Sequence, residues 1–377
     1  MWNHHSLHRI DWRIIVVILS LMTISLLVIS STDPTCISLH ENSFFTPKVV
    51  SQLRRFFIGW GVFLLFAGMD YNKIREWAWI LYGVMLISLI GLFLTPSIQS
   101  VHRWFKIPII GASIQPSEYA KLIVVIALSW FLEKTRSKSS RWTTALFGSL
   151  IAIVPFLLIL KQPDLGTAFV LCPITLIMFY LGNIHPRMVR CILVIASLCL
   201  LFILLIFLEV FSHEQMYPYA TKFLKEYQYE RLNPHNHHQW ASCTAIGLGG
   251  VTGRGWRNSE FTGRGWLPYG YTDSVFPAFG EEFGFLGLVV MLILFYSLIY
   301  FGFQVTIVAK DHFGRMLSAG ITIYLAIHII LNIGMMCRFF PVTGVPLPLI
   351  SYGGSSIFVT MAALGILQSV YSQRFMF

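Results

Sequence analysis

A single aspartate, Asp273, closes the stretch Thr252–Asp273 (TGRGWRNSEFTGRGWLPYGYTD) and stands just before a long apolar run. The only other acid in that glycine-rich, aromatic stretch is Glu260. An acid at a water–lipid boundary that faces a cavity is partly desolvated, which raises its pKa toward the range useful for a general base. From spacing alone the plainer reading of the same position is a helix N-cap for the run that follows. Arg254 and Arg264, wherever they approach the carboxylate, oppose the rise.

Glu118 and Lys121 stand at i and i+3 where another apolar run begins. They are either a mutual ion pair that neutralises both charges or a functional pair, since ionisable residues at a span are functional candidates by default. Upstream, HRWFK sets Arg103 beside Trp104, with Lys106 close behind, and Gln115–Glu118 reads QPSE with Ser117 inside it. Arginine beside tryptophan suits a phosphate or a sugar ring, and it suits an interfacial anchor belt as well.

Other motifs favour plainer readings. Lys161–Thr167 (KQPDLGT) is a tight turn in which Pro163, Asp164 and Gly166 serve the backbone. His235, His237 and His238 (HNHH) read as a solvated loop face rather than a zinc site. The GRGW sequences lack the strand and helix context of a nucleotide loop, and no GxxxxGK[ST] occurs, so ATP-driven chemistry is unsupported. Among the six cysteines there is no CxxC, and a Cys36–Cys243 disulfide is left open. Pro341–Ser356 (PVTGVPLPLISYGGSS), which contains Ser351, is the strongest physical hint of a polar site. So many prolines and glycines are tolerated at membrane depth only against protein or a wet cavity.

The elements that must hold these residues follow from composition. Hydrophobic residues make up 56% of 377 and charged residues 12%, where a soluble domain carries roughly twice that charge fraction. The chain is therefore expected to be an all-α, polytopic membrane protein with a retained first span. Ten apolar runs are expected to cross the membrane: 12–31, 53–69, 76–95, 117–133, 143–161, 165–182, 188–210, 278–308, 315–339 and 345–371. They form one domain over 1–377, with a large extracytoplasmic loop, 211–273, between spans 7 and 8.

The net charge of +10 comes from basic residues gathered in short loops, which is a topology signal rather than a nucleic-acid surface. With the amino end inside, the basic segments 72–76, 133–141, 183–190 and 310–315 all fall on the cytoplasmic side. The unusual polar motifs all fall on the other. Mid-span acids are scarce, which argues against a proton-coupled pump.

In their order along the chain these motifs resemble the SEDS family (shape, elongation, division and sporulation) of peptidoglycan glycosyltransferases. The resemblance rests on Arg103–Trp104, Gln115–Lys121 (QPSEYAK), Gln162–Thr167 (QPDLGT), Ala245–Gly250 (AIGLGG), Gly253–Trp256 (GRGW), Thr272–Asp273, Gly280–Gly284 (GEEFG) and Pro341–Ser356. The compact termini resemble the rod-shape elongation (RodA-type) branch more than the division (FtsW-like) branch. The resemblance implies a multi-pass protein of the bacterial inner membrane that polymerises lipid II into glycan strands at its outer face. A lipid II flippase is the main competing reading, and a scaffold for a cell-wall complex is a third.

By resemblance Asp273 is the catalytic base. Glu118, Lys121, Arg103, Trp104, Gln115, Ser117, Thr272 and Ser351 are expected to line the substrate site, with Lys121 and Arg103 meeting the leaving diphosphate. A divalent cation, magnesium or manganese, is the one cofactor left open. The implied partners are lipid II, the growing glycan strand, a class B penicillin-binding protein, other elongation-complex proteins and membrane lipid, with no nucleic acid. Three features depart from the family pattern: Ser274 stands where phenylalanine is common, Cys337–Arg338 where glycine is usual, and the His-rich loop is atypical.

Overall fold

A computed structural model describes residues 9–33, 44–94, 104–107, 112–139, 141–207, 210, 217–218, 229–233 and 236–374. The described chain is almost entirely helical. Its long helices are α1 (Trp12–Thr32), α2 (Pro47–Gly68), α3 (Tyr71–Gly91), α4 (Pro116–Lys134), α5 (Trp142–Lys161), α6 (Leu165–Leu181) and α7 (Pro186–Phe207). After the large loop come α8 (His237–Gly249), the short α9 (Glu260–Gly263), α10 (Val275–Val308), α11 (His312–Met336) and α12 (Gly354–Ser372).

Seven of the described helices, α1, α2, α3, α5, α10, α11 and α12, are long and apolar enough to cross a membrane, and α6 is apolar but shorter. Helix α4 carries Glu118 and Lys121 in its first turns.

Several boundaries differ from the sequence reading, and two of the differences have a clear local reason. Helix α2 begins at Pro47 rather than near 53, because Thr46 caps it by accepting from Val49 N and Pro47 needs no N–H there. Helix α12 begins only at Gly354, since residues 341–353 take irregular backbone. The all-α expectation also gains a minor correction. Phe105–Ile107 (β1) pairs antiparallel with Ala112–Ile114 (β2), a three-residue hairpin just before α4.

Ion pairs and ring contacts gather the four basic loops at one end of the bundle. Arg75, at the head of α3, reaches Glu133 at 3.0 Å and Asp311 at 3.5 Å. The Trp142 and His185 rings lie 4.9 Å apart, which draws in the α6–α7 turn. At the opposite end Gln162 donates to Leu89 O, and Gly91 faces Phe105. The polar motifs collect there. This separation is what the basic-loop asymmetry predicts.

Helix α10 has 34 residues. At 1.5 Å per residue it is about 51 Å long, well beyond a hydrocarbon core of roughly 30 Å. It breaks at Gly284, where φ is 65°. The groups freed by the break are taken up by the loop after α8: Arg254 N donates to Glu281 O, Gly255 N to Glu282 O, Phe285 N to Gly250 O and Leu286 N to Val251 O. Gly253 and Gly284 meet backbone to backbone, leaving no room for a Cβ at either. The GRGW and GEEFG motifs are thus two halves of one joint, which seats the large loop on the bundle.

Candidate active site

The irregular segment 341–353 forms the inner wall of the site. An open backbone in this position must have its carbonyls satisfied from within, and side chains do so one after another. Gln239 donates to Phe340 O, Arg231 to Thr343 O, Asn332 to Val345 O and Ser25 to Ile350 O. His328 bonds the backbone of Pro346. Gly166 abuts Thr343 O so closely that a Cβ there would clash, so the QPDLGT turn packs directly on this wall.

Asp273 sits on the other side of the same wall. A Cβ built at Gly344, whose φ is 71°, would lie 3.6 Å from Asp273 Oδ2. The backbone carbonyl of Asp273 accepts from Asn332 Nδ2 at 3.1 Å. Its carboxylate accepts no hydrogen bond from any described residue. The residue is half-buried, and burial pushes its pKa up to about 6, with the Arg231 charge acting against the rise. The N-cap of α10 is Ser274, so Asp273 does not cap that helix.

Glu118 and Lys121 are 4% and 0% exposed, and their ion pair is 2.8 Å long. Lys121 Nζ also lies 3.0 Å from His328 Nε2 and 5.8 Å from the centre of the Tyr324 ring. With the other ring nitrogen of His328 turned to Pro346 O, Nε2 is the acceptor and Lys121 the donor. His328 and Asn332 are one turn apart on α11. The chain of contacts therefore runs Glu118, Lys121, His328, then across one helical turn to Asn332 and the backbone of Asp273.

Several other expected site residues make hydrogen bonds within the protein. Asp164 Oδ2 accepts from Gln115 Nε2 (2.8 Å), Ser117 Oγ (2.7 Å) and Thr167 Oγ1 (2.9 Å). This hub ties the start of α4 to the start of α6. Ser351 Oγ accepts from Leu347 N, and Thr272 Oγ1 donates to Tyr269 O. Trp104 is exposed. Arg103, Cys36 and His235 lie outside the described residues. Cys243 Sγ points at Met336 O, 3.6 Å away.

Two departures from the family pattern fit each other. Ser274 donates to Pro268 O, so its oxygen accepts from His238 Nε2 at 2.6 Å. His238 is held neutral by burial, with the nearby His237 acting in the same sense. The third departure, Arg338, sits at φ 61°, where glycine is free of strain.

Among the described residues no three His, Cys, Asp or Glu side chains gather as metal ligands. Glu118 is committed to Lys121, and Asp273 stands alone. Among the described residues these donors do not by themselves make a closed divalent-cation site.

The comparisons with known proteins agree with this architecture. Residues 11–375 match the FtsW/RodA/SpoVE family model, described as cell cycle protein. The chain is 29% identical over 370 residues to peptidoglycan glycosyltransferase MrdB of Escherichia coli K12, covering 97% of this chain and 94% of that one. It is 29% identical over 378 residues to the probable peptidoglycan glycosyltransferase FtsW of Trichlorobacter lovleyi, covering 96% and 92%. Its fold is similar to a chain from a peptidoglycan synthase complex that coordinates polymerization and crosslinking, with TM-score 0.77, 24% identity and coverage of 98% and 99%. The Thermus thermophilus rod shape determining protein RodA matches with TM-score 0.70, 23% identity and 98% coverage of both chains. With the ordered motifs, the segregated basic loops and the wall built around Asp273 all on one scaffold, the chain belongs to the FtsW/RodA/SpoVE family of cell cycle proteins, the SEDS family.

Proposed function

We infer that this protein is a peptidoglycan glycosyltransferase of the RodA type, a multi-pass inner-membrane enzyme of cell-wall synthesis. Its substrate is lipid II, and ten helices, α1–α7 and α10–α12, cross the membrane. The observation that carries the chemistry is the Asp273 carboxylate: half-buried, without a hydrogen bond from the described residues, and raised to about 6 at the outer end of the bundle.

A carboxylate in that state is a base near neutral pH. The acceptor's sugar hydroxyl gives its proton to Asp273 as its oxygen attacks the anomeric carbon of the donor. The bond from that carbon to the lipid diphosphate breaks, and the diphosphate leaves with the electron pair. One displacement inverts the configuration at that carbon. Asn332, holding the Asp273 backbone, and Gly344, keeping the space beside Oδ2 open, set the position of the base. No step of this reading is routed through a metal.

A crosslinking transpeptidase of the class B penicillin-binding type is the proposed partner, supported by the fold's similarity to a chain of a peptidoglycan synthase complex. The test is polymerisation of lipid II by the purified chain and by Asp273→Asn. Glycan polymer from the wild type, lost in the variant with lipid II binding retained, is the expected result. Undiminished polymer from the variant removes Asp273 from the chemistry. Lipid II movement across vesicles without any polymer would favour the flippase.

A further inference from the structure

The leaving diphosphate needs a cation it can reach, and Lys121 is fully buried and already bound to Glu118 and His328. A different cation meets the requirement. Arg55 of α2 stacks over the Tyr352 ring, its guanidinium carbon 4.0 Å from the ring centre. Its Nη1 is buried and makes no hydrogen bond. A buried guanidinium N–H without an acceptor is unfavourable by a margin that an anion would remove.

The surroundings suit an anion. Arg55 Nε lies 3.6 Å from where a Cβ of Gly354 would be, at the amino end of α12. That helix has 19 residues, and its N-cap, Gly353, offers no side-chain acceptor to the first turn. The positive end of the helix and its first N–H groups therefore stand beside the guanidinium. Gly353, Gly354, Tyr352 and Ser356 are half-buried, so the spot is reachable. Tyr352 packs edge-on against Tyr271, whose ring carries Lys48 Nζ at 4.0 Å, while Lys48 itself is paired with Asp33. Tyr352 N donates to Tyr271 O, two residues before Asp273. The cation and the base thus flank one stretch of the same wall.

We propose that Arg55 and the amino end of α12 form a binding site for the diphosphate of a polyprenyl-linked substrate. This rests on the glycosyltransferase reading but is tested without transfer. Binding of a polyprenyl diphosphate carrying no sugar is measured on the full-length purified protein in lipid nanodiscs, for wild type, Arg55→Gln and Arg55→Lys, with inorganic pyrophosphate as a second probe. Gln keeps the stem on Tyr352 and Lys keeps the charge.

Arg55→Gln is expected to weaken binding of the lipid diphosphate at least tenfold, with Arg55→Lys between it and wild type and melting temperatures unchanged. Affinity of Arg55→Gln within twofold of wild type overturns the site. Inorganic pyrophosphate binding as tightly as the lipid, through Arg55, overturns the lipid-linked assignment in favour of a free anion. Arg55-dependent binding by a wild-type chain that makes no polymer would overturn glycosyl transfer and leave the anion site standing.

Discussion

His328 Nε2 lies 3.0 Å from Lys121 Nζ inside the bundle, and the same imidazole bonds the backbone of Pro346. One neutral ring thereby couples the Glu118–Lys121 pair to the irregular wall that faces Asp273. His328→Leu leaves a buried ammonium short of one acceptor and a buried carbonyl short of its donor. The expected loss is about 3 kcal/mol of stability. Gln can both donate and accept, so His328→Gln is expected to recover more than half of that loss. Thermal unfolding of the two variants in detergent checks this, and equal losses would show that the ring acts by bulk alone.

The Glu118–Lys121 pair makes a prediction of the opposite kind. Both side chains are almost completely sealed from solvent. Removing one leaves the other charged and unpaired, so Lys121→Met alone is expected to cost about 3–5 kcal/mol. Glu118→Gln combined with Lys121→Met removes both charges and is expected to be more stable than Lys121→Met alone. A double-mutant cycle on unfolding midpoints measures this coupling. Strict additivity of the two substitutions would mean the pair does not interact.

The membrane-spanning helices were legible because apolar runs of that length have few alternatives, and each run falls mainly on a helix, with residues 337–339 and 345–353 the longest described stretches outside one. Asp273 was legible as a solitary acid before a span. Its surroundings were not. His328 and Asn332 sit inside an apolar run as single polar residues, and only their spacing of one helical turn signals a shared face. Arg55 lies beside Arg54 in the third turn of α2, where an interfacial anchor is the ordinary reading. The His238–Ser274 contact spans 36 positions, and local sequence carries no trace of it. Gln115, Ser117 and Ser351 were found as polar residues in the right region, but sequence could not tell a framework bond to Asp164 or Leu347 from a bond to substrate.

The raised pKa of Asp273 fixes two pH dependences. As a base, it works only when ionised, so polymerisation is expected to fall as pH drops through about 6. Stability runs the other way. The folded state holds the proton more tightly than the unfolded chain, whose carboxyl titrates near 3.8. The stability contribution is therefore present below that value and is lost as pH rises through about 6. Asp273→Asn is accordingly expected to be more stable than wild type at pH 7 and to match it at pH 3.5. The ceiling is about 3 kcal/mol, from two units at 1.36 kcal/mol each, and less because the carboxylate is partly open to water. Urea midpoints at the two pH values measure the difference, and an equal offset at both would remove Asp273 from the linkage.

The last prediction concerns Arg338, just past the end of α11, which adopts φ 61°. A residue with a Cβ is disfavoured in the left-handed region by roughly 1–2 kcal/mol, whereas glycine enters it freely and loses some of that advantage through its larger unfolded-state entropy. Arg338→Gly is expected to stabilise the protein by about 0.5–1 kcal/mol net. Arg338 also has contacts of its own, so Arg338→Ala serves as the control: it removes the side chain but keeps the strain. Glycine should melt above alanine by a few degrees in the same detergent. If the two melt together, the backbone at this position stores no strain, and its departure from the family's usual glycine is conformationally neutral.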